Sequence, residues 1–405
     1  MASDGTGMTP GQSAWTDGSR FAGAGPRYAG AGPRGGWQIV WRVAAGVVVV
    51  LLVAAFVAGR WSVSYDAITP GTPVNVAQLI TVPRGAAHTH RGSVILTDVR
   101  ILPLTALGYL YYRFDEHAQI VSTAELTGGA SSSAYSEQGI IEMATARQAA
   151  VLVALRALGY HPRAVPAGAV VDATEPGAAG DSVLAVGDVI TAVDSKSTPR
   201  LGPLTALVTA TPPGTSLQFT FHRLGTTTTR QRSLVVGELE RVGPASAPSY
   251  PCVGVGAKEG PVVRHAGRPQ SCLPFGAEQL YKDEDEPFRV SIQADGIAGP
   301  SAGLSFTLGL VEKLDRADLT GGRRVAATGT MSNNGAVGAI GGVAQKTVAV
   351  REAGASVFLV PPANAAVARA NAGPTLRVIA VSSIGQAVAA LERLGGRLVP
   401  ATGPR

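Results

Sequence analysis

From Val43 to Gly59 the chain runs seventeen residues without a charge, VAAGVVVVLLVAAFVAG. At about 1.5 Å of rise per residue a helix of this run alone covers roughly 25 Å, and Ile39 and Val40 extend it towards the ~30 Å hydrocarbon core of a bilayer. Trp37, Trp41 and Trp61 bracket it, where indole rings favour the membrane interface. A cleaved signal peptide has an apolar region of about 7–15 residues and a small-residue exit. Here the run is longer and ends Phe56-Val57-Ala58-Gly59, so residues 37–61 are read as a retained transmembrane helix. Arg20, Arg27, Arg34 and Arg42 precede it, and Arg60 is the only cation between it and Arg84. The positive-inside rule then predicts a single-pass protein of the cell membrane, its N-terminus cytoplasmic and its body extracytoplasmic. Residues 1–36, rich in Gly, Ser, Ala and Pro, are expected to be a disordered cytoplasmic tail.

The rest of the chain has the composition of packed domains. Hydrophobic residues make up 45% of the 405 and charged residues 15%, which excludes a mostly disordered protein. The net charge is +6, but arginine supplies 29 of the 34 cations and no basic block occurs, so nucleic acid is not an expected partner. Residues 62–160 carry strand-like runs at 77–82 and 92–102. A long amphipathic helix follows at 137–158, with Ile141, Ala144, Leu152, Leu155 and Leu158 near 3.6 spacing. No chemistry is legible in this stretch, which is read as scaffold. Residues 161–240 read as a β-rich domain. AGAVV is a strand, LAVGDVITAVD a buried strand pair joined at Gly187-Asp188, LTALVTA a short helix, and two further strands follow Pro212-Pro213-Gly214.

Chemistry is concentrated in residues 241–400. RVSIQADG reads as a strand from Arg289, GPSAG as a small-residue turn, and the next residues as a helix with Leu304, Leu308 and Val311 on one side. Ser301 sits in that turn, where backbone N–H groups at a helix start can hold an oxyanion. Gly299, Pro300 and Ala302 leave room for a substrate backbone. Taken alone, the turn is equally that of an N-cap serine. Lys346, one of only five lysines, lies on a helix opened by Gly341-Gly342 among apolar Val343, Ala344, Val348 and Ala349. A lysine with an ordinary pKa near 10.4 is neutral only about 0.04% of the time at pH 7; burial lowers that pKa and makes the amine a usable base. All six histidines lie at or before His265, so a Ser-His-Asp triad confined to the last third is impossible. No Cys/His cluster has metal spacing and no GxxxxGK[ST] loop is present, so neither a metal site nor a cofactor is expected.

Residues 161–240, in the order AGAVV…PGAAG…LAVGDVITAVD, resemble a PDZ domain of the bacterial protease-associated kind. GPSAG, then TG…GAVGAIGGVAQK, then REAGASVFLVPPANAA resemble the proteolytic domain of Lon proteases over residues 289–395. That resemblance implies a serine–lysine dyad, with Ser301 the nucleophile, Lys346 the base and Thr328 orienting the lysine. One departure is visible: Lon proteins commonly place an acidic residue three before the serine, and here that position is Ala298, with Asp295 out of register. Anchor, PDZ-like and Lon-like parts in this order resemble the membrane-anchored PDZ/Lon-like serine proteases. The expected fold is mixed α/β (α+β): one N-terminal transmembrane helix, a PDZ-like domain and a Lon-type proteolytic domain. The expected function is ATP-independent endopeptidase action on unfolded or flexible extracytoplasmic proteins, with a homo-oligomer left open. The alternative is a catalytically inactive Lon-like/PDZ peptide-binding receptor of the cell envelope. Cys252 and Cys272, the only cysteines, are a disulfide candidate in an oxidising compartment, against two buried thiols. The acidic run at 283–286 is read as a solvated loop.

Overall fold

The computed structural model describes residues 34–128, 131–174, 183–212, 214–238, 264–265, 268–269, 271–272, 275–294 and 296–399. The expectations for residues 1–33, Cys252, Asp295 and the side chain of Cys272 lie outside these. Two compact units divide the chain, Met1–Val57 and Ala58–Arg405. Helix α1 (Arg34–Arg60) begins three residues before the expected span. Among the described residues it is the one helix long and apolar enough to cross a membrane, Ile39–Arg60, with a mean hydropathy of 2.5. Trp37 and Trp41 are exposed, as are the valines and leucines between them and Phe56.

In chain order the second unit starts with β1 (Ser62–Pro70), β2 (Val74–Asn75), α2 (Val76–Leu79), β3 (Ser93–Leu96), β4 (Val99–Thr105), β5 (Gln119–Ser122) and α3 (Ser132–Ala157). It continues with β6 (Arg163–Thr174), β7 (Asp188–Val193), α4 (Leu201–Ala210), β8 (Ser216–Arg223), β9 (Thr229–Val235) and β10 (Phe275–Glu284). Then come α5 (Gly303–Leu314), β11 (Arg324–Ala327), α6 (Val343–Glu352), β12 (Val357–Val360), α7 (Ala365–Asn371), β13 (Arg377–Ala380) and α8 (Ile384–Arg393).

The central sheet has the order β2-β3-β11-β12-β13. Strands β3, β11, β12 and β13 are parallel and β2 is an antiparallel edge. Parallel neighbours need crossovers, which α6 and α7 supply. Side chains alternate between two cores. Val94, Leu96, Val325, Ala327, Val357 and Leu359 face one core with Met143 and Leu155 of α3 and Phe306 and Leu308 of α5. Ile95, Ala326, Phe358 and Val360 face the other, with Val343 and Val350 of α6 and Ala368 of α7. Strands buried on both faces read as continuous apolar runs, and VFLV of β12 is one.

Residues 62–160, read from sequence as scaffold, are part of this topology. They supply β2, β3 and α3, so they are built into the same sheet and core as residues 303–393. Within them, 77–82 is not one strand. The Asn75 side chain accepts a hydrogen bond from the Ala77 N–H at 3.0 Å and caps α2, leaving Ile80–Thr81 extended and paired with Ser291–Ile292. The strand expected from Arg289 is therefore only two residues long. Helix α3 starts five residues before the periodicity indicates, because Ser131 caps it by accepting from the Ala134 N–H at 3.2 Å.

A second, antiparallel sheet has the order β9-β8-β7-β6-β10. It packs Ala169, Val171, Ile190 and Phe219 against Leu204 and Val208 of α4. LAVGDVITAVD forms one strand, not two. The Asp188 carboxylate accepts from the Ala185 N–H at 2.9 Å and holds residues 185–188 in a turn, while Leu184 stays buried beside it. Strand β10 pairs with β6 along its length, and Phe275 meets Phe219 edge-on at 6.2 Å. The sheet thus draws on residues beyond 240. The acidic run is not a loop throughout: Glu284 ends β10, and Arg163 donates to Asp285 at 2.6 Å.

Candidate active site

Ser301 lies in a 3-10 turn, Pro300–Ala302, that leads directly into α5. Gly299 enters this turn at φ +87°, a region L side chains rarely occupy. Its N–H donates to the Gly139 carbonyl of α3 at 2.8 Å, so this amide positions the turn and is not free for an oxyanion. From the other side the Ser301 carbonyl accepts two hydrogen bonds, from the Gly329 N–H at 2.9 Å and from the Thr328 hydroxyl at 3.2 Å. Thr328 is fully buried. Its hydroxyl braces the serine's backbone. Pro300 and Ala302 flank the nucleophile position, and Ala302 is buried in the core beneath it.

Lys346 sits on the second turn of α6, which opens at Gly342. Its Nζ lies 2.6 Å from Ser301 Oγ, and the residue is 3% exposed. The two side chains, 45 positions apart in sequence, are brought together because α5 and α6 flank the same parallel sheet. Burial pulls the lysine's pKa down from its ordinary value to about 8, and the Asp98 carboxylate opposes that fall. The partly desolvated amine expected from its apolar neighbours is present. The positive end of the α5 dipole points at the serine and favours negative charge developing there.

Sequence reasoning found no acidic member of the site, and Asp98 is one. It occupies the turn between β3 and β4 and lines the cavity that holds Ser301 and Lys346, about 390 Å³. Its Oδ1 is buried without a hydrogen-bond partner, and burial raises its pKa above the ordinary carboxylate range. Glu142 of α3 lines the same cavity. Burial first, then the carboxylates of Glu278 and Asp172, push its pKa up to about 7. No local pattern marks either residue, because each reaches the serine through tertiary packing alone. A second cavity of about 610 Å³, with Glu142, Ala298 and Gly299 in its wall, continues the first. The residues present offer a nucleophile, a base poised near neutrality and a helix N-terminus, a set suited to acyl transfer.

Residues 275–390 match the family model described as Lon protease (S16) C-terminal proteolytic domain. No protein of curated function matches the chain. Among solved structures the chain is similar to the PDZ domain of the SdrC-like protein from Listeria monocytogenes, at 16% identity and a TM-score of 0.17, covering 18% of this chain and 77% of that one. It is also similar to the second domain of another listeria protein, at 13% identity and a TM-score of 0.17, covering 30% of this chain and 88% of that one. The family match spans α5, β11, α6, β12 and most of α8, and includes Ser301, Thr328 and Lys346. The chain therefore carries, over residues 275–390, a proteolytic domain of the Lon serine-peptidase family.

Proposed function

We propose that this protein is an ATP-independent endopeptidase, anchored in the membrane by α1, that cleaves flexible extracytoplasmic proteins with a Ser301–Lys346 dyad. The observation that carries the proposal is the 2.6 Å contact between Ser301 Oγ and the amine of a buried lysine. In the neutral state Lys346 takes the hydroxyl proton as Oγ attacks the scissile carbonyl. The oxyanion forms near the N-terminus of α5, the leaving amine receives the proton, and an acyl-enzyme remains. Water activated by the same lysine then releases the second product. The sequence holds no phosphate-binding loop, so substrates must arrive already flexible.

The β6–β10 domain supports a substrate-capturing role of the PDZ kind. In the described sheet β10 is an edge strand, and beside it α4 leaves a groove of about 870 Å³ lined by Thr205, Thr209, Gln279 and Tyr281. An extended peptide adds to such an edge as a further strand. A cleft of about 300 Å³ shares Gln279 and Tyr281 with that groove and reaches Pro300 beside the nucleophile.

The test is casein hydrolysis by the full chain in detergent. Ser301→Ala and Lys346→Arg should each lose at least about a thousandfold in kcat/KM with Tm retained, and the double variant should be no worse than either, since the pair acts as a unit. The guanidinium stays protonated across the working range, so it cannot serve as a base. Substantial turnover by folded Lys346→Arg would exclude the dyad; a wild-type protein inert towards serine-reactive probes would favour the receptor reading.

A further inference from the structure

At the end of α5 remote from Ser301, three side chains from separate parts of the chain converge. His90 comes from the loop before β3, Glu312 from the last turn of α5, and Asp318 from the loop leading to β11. One ligand atom from each lies within 4.8 Å of the others. Glu312 is 6% exposed, yet its Oε2 has no hydrogen-bond partner. Leaving a buried carboxylate oxygen unsatisfied is costly.

The available protons do not cover this cluster. The Thr320 hydroxyl stands 3.2 Å from Glu312 Oε1 and 2.6 Å from Asp318 Oδ1, and one proton serves only one of them. The Gly322 N–H donates to Asp318 Oδ2 at 3.0 Å. The Leu319 N–H also acts on the Glu312 carboxylate and the Gly321 N–H on that of Asp318, yet Glu312 Oε2 keeps no partner at hydrogen-bond distance. His90 Nε2 lies 3.1 Å from the Asp315 carbonyl. A carbonyl only accepts, so Nε2 carries the proton, and in a neutral ring the lone pair is then on Nδ1. A ring N–H held by a backbone carbonyl while the other nitrogen is free is the arrangement of metal-ligating histidines.

We propose that His90, Glu312 and Asp318 bind one divalent transition-metal ion of the zinc class, which ties the loop before β3 to the end of α5. One imidazole nitrogen with two carboxylates suits Zn²⁺ or Mn²⁺, whereas Ca²⁺ and Mg²⁺ take oxygen donors. Zinc–ligand bonds of about 2.0–2.2 Å place donor atoms roughly 3.5 Å apart around a tetrahedral ion, so the three groups close by about an ångström on binding. The ion neutralises the buried carboxylate charge and pins the far end of the helix that presents Ser301. No spacing motif announces such a site, because its ligands lie on both sides of the β6–β10 domain in sequence. The proposal is independent of the dyad.

The test is metal binding by the full chain in detergent, stripped with EDTA and then titrated with Zn²⁺ alone. One equivalent per chain should be retained after dialysis, measured by elemental analysis, and Tm should rise by several degrees at saturation. Mg²⁺ and Ca²⁺ at the same concentration should leave Tm unchanged. His90→Ala and Asp318→Asn should each weaken Zn²⁺ binding at least tenfold. His90→Cys should retain the ion and, with Co²⁺, show a thiolate charge-transfer band in the near ultraviolet that wild type lacks, which keeps the proposal testable if the other variants fold poorly. No retained equivalent in wild type, binding indifferent to His90→Ala and Asp318→Asn, or Ca²⁺ or Mg²⁺ competing on equal terms would overturn it.

Discussion

At the scale of single residues, Lys346 is held at odds with its own charge. Its pKa is lowered to about 8 mainly by burial, so the free amine is a minority at pH 7 and dominates above pH 8. Activity, read as kcat/KM on casein, should climb with pH through about 8 and then level off. Stability has a definite sign as well. Between about 8 and the ordinary 10.5 the unfolded chain keeps a proton the folded chain has released, so this residue makes stability rise with pH over that window. Asp98 pulls the other way on the lysine, because its carboxylate favours the charged amine. Asp98→Asn should therefore shift the rising limb of the pH profile to lower pH. A limb that stays where it was would show that Asp98 does not set the lysine's proton affinity.

At the scale of elements, α5 is buried all round, with only Lys313 among its twelve residues escaping full burial. A helix buried on every face belongs in the centre of a fold, and here it lies between α3, α2 and the sheet. Its approach to α2 is set by one small residue. A Cβ added at Gly309 would stand 2.3 Å from Val76 Cγ1 and 2.8 Å from Val76 Cβ. Gly309→Ala should consequently destabilise the protein by about 1–3 kcal/mol through overpacking, measured as a fall in Tm. Val76→Ala in the same chain should recover part of it, because the Cγ contact disappears while the Cβ contact remains; additive losses would argue against this packing. The type and place of α3, α4, α5 and α6 were legible from apolar spacing, since each has a face or a whole surface to bury. Residues 77–82 and 184–187 were not, because Asn75 and Asp188 redirect the backbone through side-chain hydrogen bonds that apolar patterning cannot register.

At the scale of the whole molecule, the groove beside α4 and the cleft that shares Gln279 and Tyr281 lead towards Pro300. If substrates are captured there, filling the groove should weaken capture and leave the chemistry alone. Thr209 is exposed on α4 and lines the groove. Thr209→Trp should raise KM for casein several-fold, leave kcat unchanged, and have no effect on a short peptide that reaches only the dyad. Equal losses on both substrates, or none on casein, would remove the groove from the substrate's route.

Much of this protein is determined by sequence alone, because the signals are local. An uncharged run long enough for a bilayer is legible without tertiary contacts, and so are the GPSAG turn and the lone lysine on an apolar helix face. Each depends on residues within one or two turns of one another. Tertiary structure alone decided that residues 62–160 share a sheet and core with the Lon-type domain, and that β10 closes the sheet of the domain before it. It also decided that Asp98 and Glu142 share a cavity with Ser301, and that His90 meets Glu312 and Asp318. Those outcomes follow from parallel strand pairing and from burial between distant segments. The energies responsible belong to contacts that exist only once the sheet has formed.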